Sequence, residues 1–272
     1  MIGASRTSRA AVRESVDTRF DAADADALAA DGQSLLSFAG LLGRERTLRA
    51  TLADPAMDAG AKRGLLDRLL GSRVPGSAVD LIAQVVEQRW STDRDMIDVL
   101  AEAGQSLLLM SAEKHGRLDR VEDEIFRFGR TIDANPDLQM ALTNPALDSA
   151  TKAGITGQLL EGKADPLTVT LLQTSTAELH GRPVQTAVGD LSALAAQRRG
   201  RVVAEVRSAI PLTDEQSQRL RDALGRIHHR DVQLNVTIDP SVVGGLEVRV
   251  GDDVIDGTLS TRIEAARRRL TH

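Results

Sequence analysis

The chain has 272 residues, 42% of them hydrophobic, 27% charged and 2% aromatic, with a formal net charge of -5 and a pI near 5.6. A chain of this length accommodates two or three domains with separate cores, and the balance is that of a folded soluble protein rather than a disordered or bilayer-spanning one. A sequence without cysteine excludes disulfides, thiolate metal sites and cysteine nucleophiles, and the acidic balance with so few aromatic side chains argues against nucleic-acid partners.

Residues 1–12 carry Arg6 and Arg9 but run into Arg13, Glu14 and Asp17 instead of an apolar core, so no secretory signal is expected and the protein is expected to stay cytoplasmic. Residues 6–20 can form a helix whose packing place is open. Apolar runs such as 107–110 fall far below the roughly 20 residues that cross a bilayer. No segment is therefore expected to span a membrane.

From residue 28 onward the sequence repeats itself at an offset of about 90. Phe38, Leu48, Leu52, Pro55, Ala56, Asp58, Lys62, Gly64, Leu69 and Leu70 recur as Phe128, Leu138, Leu142, Pro145, Ala146, Asp148, Lys152, Gly154, Leu159 and Leu160. The shared word predicts a helix end, a turn at Asp54-Pro55 or Asn144-Pro145, and a new helix from Asp58 or Asp148. Further helices are predicted near 65–70, 78–88, 95–109, 167–179 and 184–197. Leu118, Val121, Ile125, Phe128 and Ile132 follow steps of three and four, which places them on one buried face. Glu122-Asp123-Glu124 are then expected on the solvent face, and the arginines at 198–199 and 267–269 on solvated helix faces. Trp90, after an apolar helical stretch, is expected in the core or as a partner-contact anchor. An extension over 1–27 followed by two tandem helical bundles, 28–110 and 111–200, accounts for this pattern.

After Gly200 helical spacing gives way to alternation, the mark of a domain boundary. A strand is predicted over 202–206, followed by a helix capped by Thr213 and Gln216 with Leu220, Ala223, Leu224 and Ile227 on its apolar face. Val232, Leu234, Val236 and Ile238 alternate up to Asp239-Pro240, and Leu246, Val248 and Val250 turn through Gly251 into Val254-Ile255 as a hairpin. Ser260 can cap a last helix with Ile263, Ala266 and Leu270 inward. The expected fold is mostly α with a small α/β domain over 201–272 that holds a short mixed sheet and two helices.

The segment 202–257 resembles the C-terminal signature of the ATP synthase delta subunit and its mitochondrial counterpart, the oligomycin sensitivity-conferring protein. The resemblance runs through Ser208, Pro211, Leu212 and Thr213, then Asp239, Pro240, Gly244, Gly245 and Gly251, and closes at Asp256-Gly257. Upstream, Gly116-Arg117-Leu118 to Asn144-Pro145 and Lys152 look like that family's helical domain, and 28–104 adds a copy in front, as in actinobacterial forms. The resemblance implies a non-catalytic stator subunit on the cytoplasmic face of the cell membrane. It implies bundles holding alpha subunits of the catalytic head and a C-terminal domain engaging b subunits of the peripheral stalk, with contact residues unassigned. The signature residues themselves are expected to be architectural, since Gly244-Gly245 permits backbone angles closed to other residues.

No catalytic, cofactor or metal site is expected. Residues 157–164 nearly fit a phosphate-binding loop, but the preceding stretch is helical, Leu159-Leu160 are apolar, and Ala164 offers no hydroxyl for magnesium. His228 and His229 are adjacent and would point apart, while His115, His180 and His272 stand alone, so no ligand set forms. The rival readings are a helical adaptor for other proteins, which co-purification would separate, and a nucleotide hydrolase using Lys163.

Overall fold

A computed structural model describes residues 3–179, 181–200, 202–228, 232–240, 242, 244–250 and 253–256. The chain divides into two compact units, Met1–Ala196 and Gln197–His272. Among the described residues, the first holds helices α1 (Ala4–Arg19), α2 (Ala25–Arg44), α3 (Arg46–Ala53), α4 (Ala59–Leu70), α5 (Gly76–Glu87) and α6 (Asp93–Lys114). It continues with α7 (Leu118–Ala134), α8 (Pro136–Thr143), α9 (Ser149–Leu160), α10 (Pro166–Ala177) and α11 (Val184–Arg199), whose last turn crosses the division.

The repeated sequence word makes a repeated local structure. Asp54 accepts from the Ala56 N–H at 2.8 Å and Asn144 from the Ala146 N–H at 2.9 Å, the same side-chain turn ahead of the same helix. Asp58 then caps α4 through the Ala61 N–H and Asp148 caps α9 through the Thr151 N–H, each satisfying a donor that the helix start leaves unpaired. On α2 and α7 the shared stripe is also the same. Leu28, Leu35, Phe38 and Leu42 are buried, and so are their counterparts Leu118, Ile125, Phe128 and Ile132.

The first unit contains two apolar clusters. One gathers Phe38, Leu52, Leu66, Ile82 and Leu100, and α1 joins it through Val12 and Val16, with Phe20 just beyond the helix end. Ser5 of α1 donates to Asp95 at 2.7 Å and Ser8 to the Arg89 carbonyl at 2.8 Å, so the first helix docks on the first copy. The second cluster gathers Val121, Ile125, Phe128, Leu142, Leu171 and Leu191. Helix α6 contributes to both: Ile97, Leu100 and Leu107 face the first cluster, while Leu108, Leu109 and Ala112 face the second. It closes one bundle and opens the next, and a division between residues 110 and 111 falls inside it. Trp90 packs half-buried against the first cluster and donates its indole N–H to the Val85 carbonyl at 2.9 Å.

Two charged residues expected on solvated faces are inside. Glu124 is 8% exposed, because it stands three residues after Val121 on the buried stripe of α7. It accepts from the Asp165 N–H at 2.8 Å, the Thr168 hydroxyl at 2.6 Å and the Arg120 guanidinium at 2.7 Å. Arg198, in the last turn of α11, is buried as well. Burial pushes the Glu124 carboxyl up, but the hydrogen bonds from Thr168, Arg120 and the Asp165 amide, with the Arg120 charge, outweigh it and hold the group below its ordinary value of 4.5. A carboxylate lowered in the folded state stabilises the fold fully above its unfolded pKa and loses that contribution as pH falls through the folded one. Glu124→Gln is therefore expected to cost about 1.5–3 kcal/mol in urea unfolding at pH 7. The gap to wild type should narrow below pH 4.5.

The second unit is built on a four-stranded mixed sheet of order β2-β1-β3-β4, from β1 (Val202–Ser208), β2 (Val232–Ile238), β3 (Leu246–Val250) and β4 (Asp253–Asp256). β2 runs parallel to β1, joined to it through α12 (Asp214–His228), whereas β3 and β4 add antiparallel. Ala204, Val206, Leu224, Val232, Val248 and Val250 form its core. The expected capping box is present, Thr213 accepting from the Gln216 N–H while the Gln216 side chain accepts from the Thr213 N–H. Ile227, expected on the inner face of α12, is instead exposed in the final turn. The helix predicted from Ser260 lies outside the described residues.

Candidate partner-binding surfaces

Two surfaces in the first unit follow from how its copies pack. On α2 a second stripe, Gly32, Leu36, Ala39 and Gly40, is buried beside the shared one. An added Cβ at Gly32 would stand 2.9 Å from the Gly104 carbonyl, so α2 and α6 touch backbone to backbone. Leu36, 7% exposed, belongs to the cluster of the second copy. The matching stripe on α7 is not covered in this way: Phe126, the counterpart of Leu36, is 58% exposed. Met140 on α8 is exposed as well.

The second surface is a groove of about 1030 Å³ between the copies, bounded by α2 and α6 on one side and by the start of α9 and the end of α10 on the other. Arg44 reaches Glu178 across it at 3.1 Å. Leu36, Ala39, Gly40, Ala101 and Ala153 supply apolar wall, and Lys152 lines it.

In the second unit the described signature residues gather at one end of the sheet. Ser208 ends β1, is buried, and pairs with Ile238 and Leu246 in the flanking strands. Its carbonyl accepts from the Asp239 N–H at 2.8 Å. Pro211 is exposed, Leu212 half-buried against the core and Thr213 caps α12. Asp239-Pro240 leaves β2 at this end, and Gly244 and Gly245, at φ 65° and 85°, make the bend into β3 that a side chain would strain. Asp256 pairs with Glu247. Gly251 and Gly257 lie outside the described residues. Arg207 ties this end together, binding the Asp239 carboxylate and reaching Glu247 at 3.2 Å. Sequence reasoning passed over that clamp, although Arg207 adjoins Ser208 and both acids fall in strands or turns expected beside it. Ile210 and Ile238 are exposed at the same end.

The residues weighed for chemistry are not brought together. Residues 149–160 are helix throughout, and Lys163 donates to the Leu159 carbonyl at 3.2 Å beyond the helix end, so no strand-to-loop phosphate cradle exists there. His115 lies in the turn after α6 with Nε2 3.5 Å from Asp26, and His228 ends α12. His180, His229 and His272 lie outside the described residues. Among the described residues no group of three or more histidines or carboxylates is placed to hold a metal.

The family model for the ATP synthase delta (OSCP) subunit matches residues 104–270, which span the second copy and the sheet. This chain belongs to the ATP synthase delta (OSCP) family. Three proteins named ATP synthase subunit delta illustrate the similarity. That of Streptomyces coelicolor is 44% identical over 99% of this chain and 98% of its own. Those of Streptomyces griseus and Frankia alni are each 42% identical, with 99% of both chains covered. The first copy, which lies ahead of the family model's match, is thus shared with full-length actinobacterial delta subunits. A chain of the Toxoplasma gondii mitochondrial ATP synthase hexamer is 20% identical, covering 62% of this chain and 95% of its own, and its TM-score of 0.29 adds nothing to the assignment. A delta-family subunit is a structural component of the F-type ATP synthase and not its catalyst. Among the described residues no helix is long and apolar enough to cross a membrane.

Proposed function

We propose that this chain is the stator link of the enzyme, holding the catalytic head against the torque of the central shaft. The helical unit binds alpha subunits of the head, and the sheet unit binds b subunits of the peripheral stalk. The contact lies on the cytoplasmic face of the cell membrane, which the chain reaches only through the complex. Its work is mechanical: proton flow drives ATP synthesis only if the head does not turn with the shaft, and that restraint requires no bond-making by this chain.

One observation carries this reading: the apolar position that α2 buries at Leu36 is held on α7 by Phe126, which is left open beside Glu122 and Arg130. In stacked repeats the uncovered face of a terminal copy is where a further element adds. An exposed phenylalanine there suits the apolar side of a partner helix. The exposed Ile210 and Ile238, beside the Arg207 clamp, supply the corresponding surface for the stalk. On this reading the signature residues shape that end of the sheet and do no chemistry. Phe126→Glu is expected to weaken binding of the full-length chain to the isolated head by roughly tenfold or more, with the unfolding midpoint unchanged because the side chain is exposed. Undiminished head binding by a folded Phe126→Glu variant would refute the assignment of α7.

A further inference from the structure

Corresponding helix pairs of the two copies are joined by different chemistry. In the first copy α4 packs on α5, and Leu66, Leu70, Val85 and Val86 are all buried in one apolar cluster. In the second copy α9 packs on α10, and the residues at the repeat offset are Thr156, Leu160, Ser175 and Thr176. Thr156 and Thr176 are fully buried and share a hydrogen bond of 2.8 Å between their hydroxyls. Ser175, also buried, donates to the Leu171 carbonyl at 2.7 Å. Gln173, where the first copy has Ala83, donates to the Ala153 carbonyl at 3.1 Å. Ile155 and Leu160 add apolar contact but are only partly covered.

The two joints differ in what separation costs. Parting α4 from α5 returns apolar surface to water, at a cost that grows with the area exposed. Parting α9 from α10 mainly breaks neutral hydrogen bonds, which water remakes at once, so the net loss is small. Helix α10 does not need α9 to hold its place, because Leu167, Leu171 and Leu172 anchor it in the second cluster. Helix α9 has no such anchor: of its twelve residues only Lys152 and Thr156 are buried. Its first turns also border the open groove between the copies instead of another helix.

We propose that α9 is a lid on the second copy, which swings off α10 as a unit while α10 and both apolar clusters stay in place. The Asn144-Pro145 turn lies ahead of it, and Gly162, at φ 68° and with nothing within 4 Å of a Cβ placed there, lies behind it, so both connections can take up the change. Because the start of α9 forms part of the groove wall, the same motion widens the groove. The face it uncovers on α10 carries Gln173, Ser175 and Thr176, which water solvates readily, where the first copy would expose Val85 and Val86. Duplication has thus produced one stiff copy and one with a movable wall. The lid is a property of the chain itself, whatever the chain binds.

Amide hydrogen exchange of the full-length chain, read helix by helix, tests the lid. After correction for intrinsic rates, the amides of 155–160 are expected to exchange roughly tenfold or more faster than those of 65–70, while α10 stays as slow as α5. Thr156→Leu combined with Thr176→Val installs the first copy's pair and is expected to slow α9 roughly tenfold, leaving α4 unchanged. Equal exchange in α4 and α9 overturns the proposal. So does α10 opening together with α9, or a folded double variant whose α9 exchanges as in wild type. Thiol labelling is a second measurement that needs no repacked core and decides the matter if the double variant does not fold. The chain has no cysteine, and Thr156 and Leu66 are both fully buried. A maleimide is expected to modify Thr156→Cys roughly tenfold or more faster than Leu66→Cys, even though the second substitution leaves the larger cavity. A Thr156→Cys chain labelled no faster than Leu66→Cys overturns the lid.

Discussion

Membrane vesicles carrying an ATP synthase whose delta chain stops at Gly200 are expected to hydrolyse ATP at an ordinary rate and to pump almost no protons. The division between the two units at Ala196 and Gln197 sits just before this cut, and each unit holds its own apolar core. The helical fragment should therefore fold alone. Phe126, Met140 and the inter-copy groove all lie in the retained part, and a typical stable interface of about 1,600 Å² is within reach of a helical unit of this size. What is lost is the end of the sheet where Arg207, Asp239 and the Gly244-Gly245 bend come together. A head held on one side only turns with the shaft. Proton pumping is followed by the quenching of a pH-sensitive dye and hydrolysis by phosphate release. Full pumping by the truncated enzyme, or a folded fragment that no longer binds the head, would contradict the proposed division of labour.

A large effect on stability is expected from Gly104→Val. A Cβ at this position would stand 2.8 Å from Leu36 Cγ and 2.9 Å from the Gly32 carbonyl oxygen, distances that real side chains do not tolerate. Leu36 can turn aside, but a carbonyl inside α2 moves only if the helix moves. Because α6 faces both apolar clusters, displacing it from α2 opens both bundles together. Overpacking of this kind costs about 1–3 kcal/mol and sometimes more. At roughly 2–4 °C per kcal/mol for a unit of this size, a fall in Tm of several degrees is expected by calorimetry. Gly154→Ala is the control: a Cβ there meets nothing within 4 Å, and replacing a helical glycine by alanine should stabilise by up to about 1 kcal/mol. A Gly104→Val chain that melts with wild type would show that α2 and α6 can part without cost.

The local devices were legible because each is written within a few residues. Asp54 and Asn144 before proline specify their turns, Asp58 and Asp148 cap the helices that follow, and Thr213 with Gln216 closes the capping box. Periodicity also revealed the change from helix to strand near Gly200 and the stripe from Leu118 to Ile132. The same reading misplaced Glu124 and Arg198, since a buried charged residue looks like a solvated one until its partners are known. Thr168 and the Asp165 amide lie 44 and 41 residues from Glu124 along the chain. No local rule connects them.

By itself the sequence determined the element types, the duplication, and, through its signature, the family. Those rest on short-range sterics and on spacing, which the chain carries wherever it folds. Only the tertiary structure decided what each copy does with the same residues. Leu36 is covered and Phe126 is open; Lys62 donates to the Val86 carbonyl, whereas Lys152 has no hydrogen-bond partner among the described residues. The physical reason is that one helix, α6, is shared between two cores, so the first copy is sealed by the second while the second has nothing after it of its own kind. Corresponding positions of the two copies thus meet different surroundings, and the difference at Leu36 and Phe126 is what leaves an apolar side chain open on α7.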